Sequence, residues 1–90
     1  MRDIHDQMLN NIQDLLNLLL EECKRKRVLS WVVDKNNKVL YWVGVRGKEA
    51  PHVITQKIEP DMEKDLESIL TWQKSAKLVS ENSNYQLWQR

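Results

Sequence analysis

Val28-Leu29-Ser30-Trp31-Val32-Val33-Asp34-Lys35-Asn36-Asn37-Lys38-Val39-Leu40-Tyr41-Trp42-Val43-Gly44-Val45 decides the fold. Its two flanks, 28–33 and 39–45, are rich in β-branched and aromatic residues, which pack well on a pleated surface and so form strands. Asp34 to Lys38 between them is hairpin material, because Asn tolerates the positive φ that tight hairpin turns require. With Asn36-Asn37 as a two-residue turn, the register follows. Trp31 then faces Trp42, Val33 faces Leu40 and Leu29 faces Gly44 on one side of the ribbon. Val32 faces Tyr41, Ser30 faces Val43 and Val28 faces Val45 on the other. Both sides are largely apolar, so both call for cover.

Toward the N-terminus the period changes from two to 3.6. Ile4, Met8, Leu9, Ile12, Leu15, Leu16, Leu19 and Cys23 recur at steps of three and four, one stripe of a helix. Asp3 suits its N-cap, Asp6 its positive first turn, and Lys24-Arg25-Lys26-Arg27 its negative last turn. The spacing predicts a helix from Asp3 to Arg27, roughly 36 Å long. Within it Leu9, Ile12, Leu16, Leu19 and Cys23 alternate steps of three and four, the seam of a helix that pairs with another. A homodimer built on residues 4–23 is the expectation.

Toward the C-terminus, Arg46 to Pro51 is a loop punctuated by Gly47 and Pro51, and His52 to Ile58 is a third strand. Pro60 opens a second helix, with Asp61, Glu63 and Asp65 at its positive end. Met62, Leu66, Ile69, Leu70, Gln73, Ala76 and Val79 mark its buried stripe, which fades near Ser80. Tyr85-Gln86-Leu87-Trp88 is a short edge strand, or residues 81–90 are a loosely docked tail. The expected fold is α+β, α-β-β-β-α(-β): one small domain, 1–90, with a three-stranded antiparallel meander packed against two helices. Two helices on one face leave an apolar face open, carrying Val28, Val32, Tyr41, Val43 and Val45 or else Trp31 and Trp42. Helices on both faces leave none.

The chain has 90 residues, 41% hydrophobic and 30% charged, with two Gly and two Pro, which excludes a disordered tail, a collagen-like repeat and a low-complexity linker. No apolar run is long enough for a bilayer, and Met1-Arg2-Asp3-Ile4-His5-Asp6 contains no hydrophobic signal core, so a cytoplasmic protein is expected. The single Cys23 excludes an internal disulfide framework and a cysteine-based metal site. The net charge of +1 conceals segregation. Residues 1–23 carry one Arg against five acids, and residues 24–48 carry eight Lys or Arg against Asp34 alone. Residues 49–67 are acidic again, with six carboxylates against two lysines. A basic hairpin between acidic segments steers an anionic partner or is neutralised internally.

Signatures of catalysis are missing. His5, Cys23 and His52 lie on three different elements, too scattered for metal-ligand spacing. Gly44 and Gly47 do not make a phosphate-cradling loop, and no GxSxG, HExxH or P-loop occurs. Cys23 falls in phase with the helical stripe, as a small hydrophobe does. Glu59, Asp61, Glu63, Asp65 and Glu67 surround a helix start and read as a solvated first turn. No enzyme, metal or cofactor is expected.

Two binding classes remain. Lys24, Arg25, Lys26, Arg27, Lys35, Lys38, Arg46 and Lys48 lie on or beside the hairpin with Trp31 and Trp42, and cations interleaved with aromatics suit single-stranded nucleic acid. The α-β-β-β-α order is similar to that of double-stranded-RNA-binding domains, which grip phosphates with a Lys-rich start to the second helix. The matching segment here, Glu59-Pro60-Asp61-Met62-Glu63-Lys64-Asp65, repels phosphate and argues against duplex RNA. The helical seam, the two-sided apolar hairpin and four Trp without one Phe point instead to protein binding, since Trp and Tyr dominate interface energetics. The expectation is therefore a non-enzymatic inhibitor or adaptor that occupies a surface on a larger macromolecular partner. Phage inhibitors of a host nuclease or polymerase are proteins of this kind. The alternative is a nucleic-acid-binding regulator using the basic hairpin and its tryptophans.

Overall fold

A computed structural model of the chain describes residues 4–90. Its elements are α1 (Ile4–Met8), α2 (Ile12–Lys26), β1 (Ser30–Asp34), β2 (Val39–Gly44), β3 (His52–Lys57), α3 (Pro60–Glu63), α4 (Leu66–Ser68), a π-helical turn (Ile69–Gln73), β4 (Lys77–Glu81) and β5 (Tyr85–Gln89). The strands form one antiparallel sheet in the order β3-β2-β1-β5-β4. The fold is α+β, with five strands where three were expected.

The hairpin register is the one that follows from a turn centred on Asn36-Asn37: Ser30 pairs with Val43, Trp31 with Trp42, Val32 with Tyr41 and Val33 with Leu40. The turn chemistry differs. Asp34, buried at 3% exposure, accepts from the backbone N–H groups of Asn36 and Asn37 at 3.1 and 3.0 Å and from Asn37 Nδ2 at 2.9 Å. The positive φ falls on Lys38 (55°), not on either Asn. A carboxylate that caps the turn from inside thus does what the Asn pair was expected to do.

The long first helix is in fact two. Asn11 interrupts it, accepting from Asp14 N–H at 3.3 Å while its Nδ2 donates to Asp14 Oδ2 at 2.8 Å. This satisfies a donor at the start of α2 that a continuous helix would not leave open. The N-cap assigned to Asp3 lies outside the described residues. α1 folds back along α2, so that His5 Nε2 meets Glu22 Oε1 at 2.6 Å and Ser80 Oγ donates to Asp6 Oδ1 at 2.5 Å. The coiled-coil seam packs on the chain's own sheet. Leu9, Leu19 and Cys23 are buried, Leu9 and Leu19 packing with Val32, Val43 and Leu87, and Ile12 and Leu16 flank the same cluster. Leu9, Leu19 and Cys23 of the expected seam are thus taken up inside the chain, while Ile12 and Leu16 stay partly exposed.

The second helix also ends early. It breaks at Lys64-Asp65, widens into the π-turn and stops at Ser75, which takes φ = 57°. The Ala76 N–H then closes on Leu70 O at 2.7 Å, one residue wider than the six-to-one bond of a Schellman end, because the turn it closes is π-helical, and without the usual glycine. Leu66, Leu70 and Ala76 are buried as expected, whereas Gln73 and Val79 are exposed. Residues 77–79, expected to end the helix, and Ser80-Glu81, expected to begin a loop, together form edge strand β4. The segment expected as an edge strand or loose tail, Tyr85–Gln89, lies inside the sheet, paired with β1 on one side and β4 on the other.

Among the described residues, helical segments therefore pack on both faces of the sheet, and neither face is wholly open. α1 and α2 cover Val32, Val43 and Leu87. Ile58, Leu66, Leu70 and Ala76, with Met62 beside them, cover Trp31, Val33, Leu40 and Trp88. This is the physical answer to a hairpin apolar on both sides: two half-cores share one sheet. Among the described residues, no helix is long and apolar enough to cross a membrane.

Candidate functional site, a cationic groove on the tryptophan face

The segment that crosses the tryptophan face from β3 to β4 does not fill it. A groove of about 680 Å³ remains between that segment and β1, β2 and β3. Its floor is Trp31, Leu40 and Trp42, its walls are Ile54, Met62, Ile69 and Leu70, and Arg46, Lys74 and Arg90 stand at its rim. Gln56 and Gln73 add neutral polar groups, and no carboxylate lines it.

Local sequence explains how the floor is built. Successive strand residues alternate between faces, so Trp31 and Trp42, directly paired, share this one. Gly44 lies two residues beyond Trp42 on the same face. A Cβ there would meet Trp42 Cζ2 at 2.5 Å and Leu29 Cδ2 at 2.9 Å, so the missing side chain is what lets the indole lie along the strand. His52, opposite Gly44, meets the indole edge-on, with ring centroids 6.0 Å apart and planes at 82°. Trp42 is half-buried and faces the groove, while Trp31 is 5% exposed and serves as floor only.

Of the predicted binding residues, the groove collects Trp31, Trp42 and Arg46. Lys24, Arg25, Lys26 and Arg27 are exposed at the end of α2, and Lys48 is exposed in the β2–β3 connection. Lys35 and Lys38 sit at the opposite end of the sheet and are already engaged. Lys35 Nζ contacts Glu81 Oε2 at 2.8 Å and Asn82 O at 2.9 Å, and Lys38 pairs with Glu63. Lys35 and Gln86 both donate to Glu81, which holds its carboxyl below the ordinary value of 4.5. A smaller cavity of about 300 Å³ beside these pairs is lined by both signs of charge, Lys35 and Lys38 with Asp34, Glu63 and Glu67. On the opposite face, burial and then the Asp34 carboxylate push the Tyr41 hydroxyl above its ordinary 10.0.

Sequence reasoning missed Lys74, Arg90 and Ile54 as groove residues. Arg90 arrives because its N–H donates to Leu29 O at 3.0 Å, which extends the β1–β5 ladder by one step. No local pattern announces a pairing across that distance. Trp72 is 84% exposed on the π-turn, the most exposed of the large apolar side chains among the described residues. Among the described residues no three His, Cys, Asp or Glu side chains are grouped to hold a metal ion. Compared with protein-family models, with curated proteins and with solved structures, the chain matches none.

Proposed function

We propose that this protein is a non-enzymatic binding module, an adaptor or inhibitor that captures an acidic segment of a larger protein partner in the groove. The observation that carries this reading is the pairing of an apolar floor with a rim of Arg46, Lys74 and Arg90 and no carboxylate in the lining. Such a lining takes apolar side chains inside and carboxylates outside, the composition of an acidic peptide rather than of a bare anion. The volume is ample for several side chains. The charged side chains of the lining are Arg46, Lys74 and Arg90, all cationic, which suits recognition of an anionic partner.

Single-stranded nucleic acid is the second reading, favoured by the exposed cations from Arg25 to Arg27 and Lys48. Base stacking needs open aromatic faces, and Trp31 offers only 5% of its surface, so the groove suits a peptide better.

The deciding experiment is affinity capture from a lysate with and without nuclease. Wild-type protein is compared with a variant carrying Arg46→Glu, Lys74→Glu and Arg90→Glu. A stoichiometric protein that survives nuclease and is lost by the charge reversal is the expected result. Capture of RNA or DNA, with any protein released on digestion, would overturn it.

A further inference from the structure

We propose that the groove's occupant enters as an extended acidic segment that adds to the free edge of β3 as a sixth strand; this rests on the groove reading above. The sheet has two free edges, β3 and β4, and they are built differently. The register of β4 against β5 shifts between Leu78 and Ser80, leaving Val79 as a bulge, and Lys77 and Glu81 stand at its two ends. Bulges and edge charges are the devices that discourage a further strand. β3 has no bulge, all six residues from His52 to Lys57 keeping regular register with β2, and its charge is confined to Lys57 at one end.

The backbone phase of that edge follows from one bond. The Ile58 N–H donates to Lys38 O at 2.8 Å, continuing the β2–β3 register by one pair. Hydrogen-bonded and non-hydrogen-bonded pairs alternate along an antiparallel ladder. The N–H groups of His52, Ile54 and Gln56 therefore turn toward β2, and those of Val53, Thr55 and Lys57 turn outward. The side chains of Ile54 and Gln56 line the groove. A strand laid along β3 sends every second side chain over that groove beside them.

Charge selects the occupant. β3 contains no carboxylate and ends in Lys57, and in the connection before it Arg46 and Lys48 outnumber Glu49. A second copy pairing on the same edge would bring two carboxylate-free, cationic edges together, which is unfavourable across strands. A segment with alternating carboxylates and apolar residues is complementary in charge and in spacing.

The test uses an end-blocked peptide of alternating Glu and Val, and two forms of it N-methylated on every second amide, one in each phase. The full chain should bind the parent peptide, with the Val53, Thr55 and Lys57 amide resonances shifting and gaining protection from exchange. One N-methylated phase should bind about tenfold more weakly while the other matches the parent, as expected when the hydrogen bonds along one edge are lost. Thr55→Pro removes an outward N–H without touching the bonds to β2 and should weaken binding similarly. If both N-methylated peptides bind like the parent while Arg46→Glu with Lys74→Glu abolishes binding, the groove stands and strand addition is overturned. No binding of the parent peptide at millimolar concentration, or preferential binding of a thymidine oligonucleotide, overturns both.

Discussion

Gly44 is the residue on which the groove floor turns. The Trp42 indole occupies the space a side chain at 44 would need, with 2.5 Å between a built Cβ and Cζ2. Gly44→Ala should therefore push the ring off the strand and cost about 1–3 kcal/mol, the range for forcing an added methyl into packed surroundings. Denaturant unfolding checks the cost, and a changed tryptophan emission checks the displacement. Glu81 supplies a second residue-scale prediction, through pH. Its carboxyl sits below the ordinary 4.5 because Gln86 and Lys35 donate to it. Its contribution to stability is complete above the unfolded value and is lost as pH falls from about 4.5 through the lower folded one. Glu81→Gln should flatten the acid limb of the stability profile, measured as melting temperature against pH.

At the scale of elements, local pattern and long-range pairing divided the problem between them. Strands β1 and β2, their register and the stripe of α2 were legible because period two and period 3.6 are local properties of side-chain spacing. The breaks were not. Asn11 caps α2 from inside an otherwise continuous stripe, and Ser75 ends the second helical segment in a left-handed conformation that is usually given to glycine. β4 was hidden because Val79 fits the helical stripe as well as an edge strand and Ser80-Glu81 fits a loop. Trp31, Trp42 and Arg46 could be nominated from the hairpin alone, whereas Lys74 and Arg90 reach the groove only through β4 and β5. Ser75→Gly should relieve the left-handed strain and stabilise the protein by about 0.5–1 kcal/mol. A higher denaturant midpoint with an unchanged slope is the signature to look for.

At the scale of the whole molecule, charge is sorted along the strand axis. The ladders place Ser30, Gly44, His52, Lys77 and Gln89 at one end of the sheet. There the exposed cations of α2's last turn stand with Arg46, Lys48, Lys74 and Arg90. At the other end Lys35 and Lys38 are matched by Glu81 and Glu63. The basic hairpin read from sequence is thus half consumed by the fold and half presented to solvent. The helical seam is partly consumed by the sheet beneath it, with Ile12 and Leu16 still half-exposed. Light scattering after gel filtration decides between the two roles: a mass near 10.8 kDa assigns the seam to the chain's own core alone, and twice that mass assigns Ile12 and Leu16 to a second copy as well.

The position of β5 has a consequence in time. β1 is buried at all five residues, yet one of its two neighbours is made far later: Gln89 reaches Ser30 across 59 positions. While the chain is being synthesised, the β1–β2–β3 ribbon emerges with β1 as a bare, water-repelling border, and it stays so until Tyr85–Gln89 leaves the ribosome. Nascent chains arrested before residue 85 should therefore recruit chaperones or aggregate, because unpaired apolar strands adhere to one another. Release of the last strand would be the event that makes the product safe.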